Sequence, residues 1–402
     1  MLIDPSFTLD SRPLCQSLLV PPSCCEHCAV LEASPPPALN TDATTTLPRL
    51  VAEPWNLDQV TPTADGRLSL RGWAFHDPTL RLDQQAQRFT VNDEAPYSID
   101  YPQLRPDVQE VFWQRPQADL SGFVISVLPS YPDGVMRLRF ADSMTSREAA
   151  ARETIYLPDP ALHLNLPDAD RRFRVIGNRD PFGFLQLGCT DAHRIKAAYE
   201  AVTGAKWLDA AAVLDWGSGC GRVARHLAPE LGARFYGCDI DADNVSWCNA
   251  NLLGTYNAST LAPPLPYADE TFDVIYGISV FTHLRANWER IWLAELRRVL
   301  RPGGTMLMTI HGQTAIDFAT LDRVTYAALM ARVEQEGLAF TSTNHQLDGF
   351  VEHPDEYVNV LHSNAHIKRV WSQYFSKIVQ LKGYIFTHDL LVVTKLSPVK
   401  TA

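Results

Sequence analysis

The stretch VLDWGSGCGRVARHL, residues 213–227, decides the fold of this chain. It has an apolar strand ending at Asp215, a loop with glycine at every second position, and the start of a helix. The loop glycines are Gly217, Gly219 and Gly221. A dinucleotide-binding turn needs GxGxxG, but Arg222 occupies the third glycine position here, and no GxxxxGK[ST] phosphate loop is present. The GxGxG turn therefore favours a ligand that carries a cation and a carboxylate over one that carries phosphates.

A second strand, ARFYGCDI at 233–240, ends in another carboxylate, Asp239. A carboxylate at this place can accept hydrogen bonds from both ribose hydroxyls of a nucleoside. Asp241 competes for that role, although its position suits capping of the next helix. Asp239 could likewise be a helix cap or a solvated side chain. Together with the glycine loop, the pattern favours ribose binding by Asp239.

Strands and helices alternate through the C-terminal part of the chain. Apolar strands are predicted at FDVIYGISV (272–280), GTMLMTIHG (304–312) and HDLLVVTKL (388–396). NWERIWLAELRRVL (287–300) has apolar residues on one helical face, so we expect a helix capped by Asn287 that ends at the RPGG turn. This alternation predicts an α/β fold with a mainly parallel, doubly wound sheet that binds ligands at the carboxyl ends of its strands.

Four segments resemble class I S-adenosylmethionine-dependent methyltransferases in order and spacing: DWGSGCGR, YGCDID, PPLPYADETFDVIYGISVFTHL and WLAELRRVLRPGGTMLMTIHG. The resemblance spans about residues 170–396, inside a domain that we place at 159–402, and is strongest to bacterial members from sugar and glycosyltransferase clusters. It implies a Rossmann-like sheet of seven strands, the last one antiparallel. It also implies S-adenosyl-L-methionine as cofactor, lying across the ends of the first strands.

Carried over by position, the resemblance implies ten cofactor-binding residues. Those expected to line the methionine part are Asp215, Gly217, Ser218, Gly219 and Gly221. Those expected at the ribose and adenine are Asp239 and Ile240, and those beneath the transferable methyl are Tyr276, Ile278 and Ser279. Many relatives hold the adenine amino group with an Asp near the third strand, but TYNASTLAPPLPYADE (255–270) has none before Asp269. Asn257 or a backbone group is the candidate for that contact.

Methyl transfer is an in-line displacement, so the protein mainly aligns the reactants and excludes water. A hydroxyl acceptor also needs a general base, whereas an amine must arrive neutral. His283, in the loop after the fourth strand, is the candidate catalytic base, and the alternative is a helix-start residue bonded to backbone. His311, at the end of the fifth strand, is a second candidate.

Four further histidines fall in a predicted acceptor-recognition insertion at 341–370: His345, His353, His362 and His366. Their spacing matches no metal motif such as HExxH. The PSCCEHC segment near the N-terminus holds a single CxxC pair, Cys25 and Cys28, whereas a structural zinc site normally uses two pairs. We therefore predict no metal site.

The N-terminal part divides into a leader and a β domain. Residues 1–50 are rich in proline and lack any sustained period, which predicts a disordered leader. Residues 51–158 alternate apolar and polar side chains in GFVISVL and VMRLRF, which predicts a smaller antiparallel β-sandwich domain. GWAF, YPQLRPDV and SGF in this domain resemble β-sandwich modules that accompany bacterial glycosyltransferases and sugar-cluster methyltransferases. Trp73 and Trp113 could stack on a sugar ring or serve as buried anchors.

Composition narrows the function classes. The 402 residues carry 35 Lys and Arg against 46 Asp and Glu, a net charge of −11, which disfavours nucleic-acid binding. No apolar run approaches the roughly 20 residues that span a bilayer, and the N-terminus lacks a signal-peptide pattern. We predict a cytoplasmic enzyme that methylates a hydroxyl or amine of a small-molecule or glycan acceptor, with a role in surface polysaccharide assembly. The oligomeric state is left open.

Three other functions share parts of this pattern. An NAD-dependent oxidoreductase would have the same fold and ribose carboxylate, but Arg222 stands where its third glycine belongs. An aminopropyltransferase needs acidic residues after the fourth strand, and GISVFTHL has none. A non-enzymatic, glycan-binding scaffold would not require an intact glycine loop.

Overall fold

The computed structural model describes residues 55–75, 80–113, 115–140, 153–163, 165–317, 323–343 and 358–396. The predicted leader at 1–50, with its cysteine cluster, lies outside these residues, as do His345 and His353. Within the described ranges, no helix is long and apolar enough to cross a bilayer. The same ranges contain no group of three or more His, Cys, Asp or Glu side chains able to hold a metal ion.

Seven N-terminal strands form two antiparallel sheets. The first has the order β1 (Trp55–Pro62), β2 (Leu68–Ala74), β5 (Leu120–Val127) and β4 (Ser98–Leu104). The second has the order β3 (Phe89–Val91), β6 (Val135–Phe140) and β7 (Thr154–Pro158). Short helices α1 (Leu82–Ala86) and α2 (Pro106–Val111) lie between the strands. Leu70 and Ile125 of the first sheet share one core with Leu138 of the second, so the predicted alternation does bury one face of each sheet.

The C-terminal part is built on a seven-stranded sheet in the order β10, β9, β8, β11, β12, β16, β15. The bounds are β8 (Val213–Trp216), β9 (Phe235–Asp239), β10 (Thr255–Ala258), β11 (Phe272–Gly277), β12 (Leu300–Ile310), β15 (Lys377–Ile385) and β16 (His388–Thr394). Strands β8 to β12 run parallel, whereas β16 is antiparallel to both neighbours. The expected α/β sheet of seven strands with an antiparallel last strand is confirmed.

Eight helices surround this sheet within the described residues. They are α3 (Ala169–Ile176), α4 (Pro181–Thr203), α5 (Ala224–Leu231), α6 (Ala242–Asn251), α7 (Ala286–Val299), α8 (Gln313–Asp317), α9 (Arg323–Glu336) and α10 (Asn364–Trp371). A separate antiparallel pair, β13 (Leu338–Thr343) and β14 (Val358–His362), lies in the insertion after β12. Val213 and Leu307 face one hydrophobic core while Leu214 and Met306 face another, so both faces of the sheet are covered.

The predicted ends of α7 were wrong. The N-cap is Arg285, without a side-chain capping bond, so Asn287 lies inside the helix. The helix ends at Val299, and Leu300 is already extended and begins β12. Gly303 does have a positive φ of 78°, but it lies within the strand and not at the helix end. The fully buried Leu300 belongs to the core under the sheet, which places the helix–strand junction before the glycines.

Among the residues that the structure describes, the N-terminal part contacts helices α4 and α9 of the C-terminal part. On α4, the Thr190 hydroxyl accepts the Tyr156 amide of β7 at 3.0 Å, and the His193 ring stacks on Tyr156 with centroids 4.0 Å apart. Trp113, after α2, meets Tyr326 of α9 edge to face at 6.1 Å. The contact with α9 brings the N-terminal part to the second helix after β12.

Candidate active site

The glycine loop between β8 and α5 requires glycine at all three of its alternating positions. Gly217, Gly219 and Gly221 have φ values of 79°, 52° and 76°, a region that side chains disfavour. A Cβ on Gly219 would lie 2.7 Å from the Val175 side chain, and one on Gly217 would overlap Val280. The amides of Gly217 and Ser218 donate to the Cys238 carbonyl at 2.8 and 3.0 Å, which fixes the loop to the end of β9.

Asp239 ends β9 and points its carboxylate at this loop. One oxygen accepts the Gly219 amide at 2.7 Å, and the other accepts the Asp241 amide at 2.8 Å. Burial raises the pKa of Asp239 to about 6, and the two amide hydrogen bonds oppose that rise. Each carboxylate oxygen can accept more than one hydrogen bond, so the oriented group can still receive two ribose hydroxyls.

Asp215 lies one strand away and is 3% exposed. Burial raises its pKa to about 7, and the Tyr276 hydroxyl and the charge of Arg222 act against that rise. Tyr276 is the register partner of Asp215 on β11, and its ring is fully buried in the core. Direct contact of Tyr276 with the transferable methyl stays a prediction.

The backbone after β11 is held by threonines. Ser279 has a positive φ of 62°, and its amide donates to the Thr309 hydroxyl at 2.7 Å. Its own hydroxyl lies 3.1 Å from that of Thr282. Ile278, the preceding residue, is partly buried against the core beside α4. The loop that the sequence places next to the reacting atoms therefore has a fixed conformation.

His283 ends a short 3₁₀ turn, Phe281–His283, and is 6% exposed. Its Nδ1 donates to the Val358 carbonyl at 3.1 Å. Burial lowers the pKa of His283 to about 4, so the ring is neutral at pH 7. This hydrogen bond to backbone agrees with the alternative given above for His283, a residue bonded to backbone at the start of a helix. The role of His283 as catalytic base stays a prediction.

His388, at the start of β16, is a residue that the sequence reasoning missed. Its Nε2 lies 3.1 Å from Nε2 of His311, which follows β12. A signal was available, since an antiparallel last strand begins at the edge where the parallel strands end. Burial lowers the pKa of His388 to about 3 and holds that of His311 well below its ordinary value.

Residues 214–308 match the family model described as "Methyltransferase domain". Over this segment the chain is therefore similar to methyltransferases.

Among curated relatives, the fatty-acid O-methyltransferase of Mycolicibacterium smegmatis is 30% identical over 131 residues, covering 32% of this chain and 47% of that protein. Phthiotriol/phenolphthiotriol dimycocerosates methyltransferase 1 of Mycobacterium ulcerans is 31% identical over 156 residues, covering 38% of this chain and 50% of that protein. The chain thus spans about half the length of these relatives. A solved structure of 1,6-didemethyltoxoflavin-N1-methyltransferase from Burkholderia thailandensis is 12% identical with a TM-score of 0.38, covering 67% of this chain and 99% of that one.

Helix α3 covers the glycine loop and was not assigned from the sequence. Arg174, 5% exposed at its side chain, donates from Nε to Asp241 at 2.7 Å and from Nη2 to Asp243 at 2.7 Å. Asp241 also caps α6, as expected, by accepting the amides of Asp243 and Asn244. Arg174 is therefore linked through Asp241 to the amide that orients Asp239.

The contact to the adenine of the expected cofactor stays a prediction. The Asn257 side chain donates to the Tyr267 hydroxyl at 3.3 Å, and that hydroxyl donates to the Gly237 carbonyl at 3.2 Å. This chain of bonds ties Asn257 to β9, so one of its hydrogen-bonding groups is already occupied. The backbone of the same segment remains the other candidate.

Proposed function

We propose that this chain transfers a methyl group from S-adenosylmethionine to a hydroxyl or amine of a small-molecule or glycan acceptor. The observation that carries the proposal is the Asp239 carboxylate, held by the Gly219 and Asp241 amides beside three glycines of positive φ. A backbone without side chains lets a ligand approach closely, and a fixed carboxylate suits two vicinal hydroxyls. Both features fit the nucleoside of S-adenosylmethionine.

The cofactor-binding residues keep the roles that the resemblance assigns. The loop Gly217–Gly221 and Asp215 hold the methionine part, Asp239 with Ile240 the nucleoside, and Ile278 with Ser279 the region of the methyl. When bound, S-adenosylmethionine supplies an activated methyl on a sulfonium. The protein's own contribution is alignment, because the loops after β8 and β11 are both fixed by hydrogen bonds.

A domain division at 1–50, 51–158 and 159–402 is part of the proposal, with the middle domain a β-sandwich that helps to present a glycan acceptor. Trp73 is 7% exposed and packs on Phe75 and Phe112 at 5.2 Å, which supports the anchor role for it. Trp113 is only partly buried and lies beside α9, which supports it over Trp73 as the residue that stacks on a sugar ring. The glycan and polysaccharide assignment rests on the resemblance of this domain.

A cytoplasmic location is also proposed. The described cysteines, Cys189, Cys220, Cys238 and Cys248, are buried free thiols. Burial raises the pKa of all four, so the groups remain protonated. Unpaired thiols of this kind are typical of a reducing compartment.

Calorimetric titration with S-adenosylhomocysteine tests the cofactor half of the proposal, with NADH as the competing ligand. We expect S-adenosylhomocysteine to bind. We expect Asp239→Asn to lower this affinity strongly, because the amide has one acceptor oxygen where the carboxylate has two. Asp269→Asn is the matched control, since Asp269 is 75% exposed and paired with Arg298 on the surface. Binding of NADH without S-adenosylhomocysteine would support an oxidoreductase, and binding of neither would support the scaffold.

A further inference from the structure

Three histidine rings meet at the carboxyl edge of the sheet, outside the cofactor loop. His283 follows β11, His311 follows β12, and His388 begins the antiparallel β16. The ring centroids of His283 and His311 are 6.2 Å apart, and those of His311 and His388 are 4.7 Å apart. Ligands of doubly wound sheets bind at this edge. As whole residues His311 and His388 are only partly buried.

Carbonyls of β14 fix which ring nitrogens carry protons. The Val358 carbonyl accepts from Nδ1 of His283 at 3.1 Å. A backbone hydrogen bond with Val360 acts on the His311 ring, whose Nε2 faces His388, so Nδ1 of His311 is the donor. A neutral imidazole with a proton on Nδ1 has a lone pair on Nε2. His388 must therefore donate its Nε2 proton to His311 across 3.1 Å, which leaves the lone pair of His388 on Nδ1.

That lone pair has no partner among the residues that the structure describes. The Nδ1 atom of His388 is buried and accepts no hydrogen bond from any of them. A buried polar atom without a partner costs about 1–3 kcal/mol, so native structures normally supply one from the protein, water or a ligand. A hydroxyl group that donates to His388 would satisfy it.

The charges around the cluster are already paired. Besides the histidines themselves, Arg222 and His362 act on these rings, and Arg222 is bonded to Asp191 at 2.5 Å. Glu289, beneath His362, accepts from His366 at 2.7 Å and from the Trp371 indole at 2.8 Å.

Asp389, next to His388, accepts from the Gln380 side chain at 2.7 Å and the Gly383 amide at 2.8 Å. Since burial keeps His283 and His388 neutral at pH 7, an ammonium or carboxylate entering this place would find no unpaired counter-charge among the described residues.

We propose that this histidine cluster is the acceptor site for an uncharged compound bearing a hydroxyl, with His388 the catalytic residue that receives the hydroxyl proton and His311 its positioning residue. The proposal rests on the methyl-transfer function proposed above. The acceptor oxygen bonds to the methyl carbon, the carbon–sulfur bond breaks with its electron pair going to sulfur, and the hydroxyl proton moves to Nδ1 of His388. The oxygen becomes strongly acidic as the new bond forms, so a weakly basic imidazole suffices.

Four probes test the acceptor class: catechol and methyl α-D-glucoside as hydroxyl compounds, octanoate as a carboxylate and benzylamine as an amine. Each is incubated with the full chain and S-adenosylmethionine, and methylated probe is measured by mass spectrometry. We expect methyl transfer to at least one hydroxyl probe and to neither charged probe. Methylation of octanoate or benzylamine, or of no hydroxyl probe, overturns the inference. Retained binding of S-adenosylhomocysteine in those cases shows that the cofactor half of the proposed function still stands.

Variants separate chemistry from structure. We expect His388→Gln to lower kcat about 100-fold or more with the KM for S-adenosylmethionine unchanged. His311→Leu should do the same, whereas His311→Gln should retain most activity, because its amide can both donate to Val360 and accept from His388. His163→Gln is the control, since His163 lies before α3 and away from the cluster. Wild-type kcat in His388→Gln, or equal losses in His311→Leu and His311→Gln, would contradict the assignment; unchanged S-adenosylhomocysteine affinity shows that each variant is folded.

Discussion

Replacing Arg174 by methionine tests whether the cover over the glycine loop orients the ribose carboxylate. Arg174 and Asp241 form a buried pair, with side chains 5% and 4% exposed. Removing one partner of such a pair costs about 3–5 kcal/mol, because the other charge stays buried alone. Asp241 keeps three further hydrogen bonds, from the Asp243 and Asn244 amides and from Nδ2 of Asn244. We therefore expect a loss near the lower end, about 3 kcal/mol.

At about 2–4 °C per kcal/mol for a domain of this size, the Arg174→Met variant should melt about 6–12 °C lower in a thermal scan. Its affinity for S-adenosylhomocysteine should fall about tenfold, the value of one charge-assisted hydrogen bond, because the Asp241 amide no longer holds Asp239 in place. Arg179→Met is the matched control: its partner is Asp170, both side chains are more than half exposed, and the expected change is about 0–1 kcal/mol.

The double variant Arg174→Met/Asp241→Asn decides the reasoning. Asparagine removes the stranded charge and can keep the caps of α6, so the double variant should be more stable than Arg174→Met alone. A double variant that melts below Arg174→Met would show that the lost stability comes from packing of α3 and not from an unpaired buried carboxylate.

Three further outcomes are expected. Gly219→Ala should lower the melting temperature more than Gly204→Ala, because both positions have positive φ but only Gly219 lies against Val175. Gly219→Ala should also abolish S-adenosylhomocysteine binding in calorimetry. Equal losses of melting temperature in the two variants would show that the overlap with Val175 does not contribute. Asp215→Asn should raise the melting temperature at pH 8 more than at pH 5. The folded pKa of about 7 lies above the unfolded value of about 4, so Asp215 lowers the stability progressively as the pH rises between these two values, and the loss is complete only above pH 7. A pH-independent change would contradict this sign. S-adenosylhomocysteine affinity should fall as pH drops below about 6, where Asp239 gains a proton, and Asp239→Asn should lose that dependence.

Local pattern was enough to predict the glycine loop and most strands of the sheet. The GxGxG turn, the acidic strand ends and the apolar strands each lie within about a dozen residues, and their periodicity reflects the burial of the strands. The same reasoning predicted the start of α7 two residues too late and its end too far along, at RPGG. A helical period does not show that Leu300 is already buried in the core under the sheet as part of a strand. Strand β15, which completes the sheet, was not assigned from the sequence at all.

The residues that finish the site come from distant parts of the chain. Arg174 pairs with Asp241 across 67 positions, and His311 meets His388 across 77. The proton positions on the histidine rings depend on carbonyls of β14. This strand lies in the insertion after β12, and the periodicity of its sequence does not predict which residues it contacts. The sequence by itself determined the alternation of strands and helices, the glycine loop and the carboxylate at the end of β9, because these follow from short-range pattern. Only the tertiary structure decided which helix covers the loop and which histidines share a proton, because those contacts join segments whose separation in sequence carries no information about their separation in space.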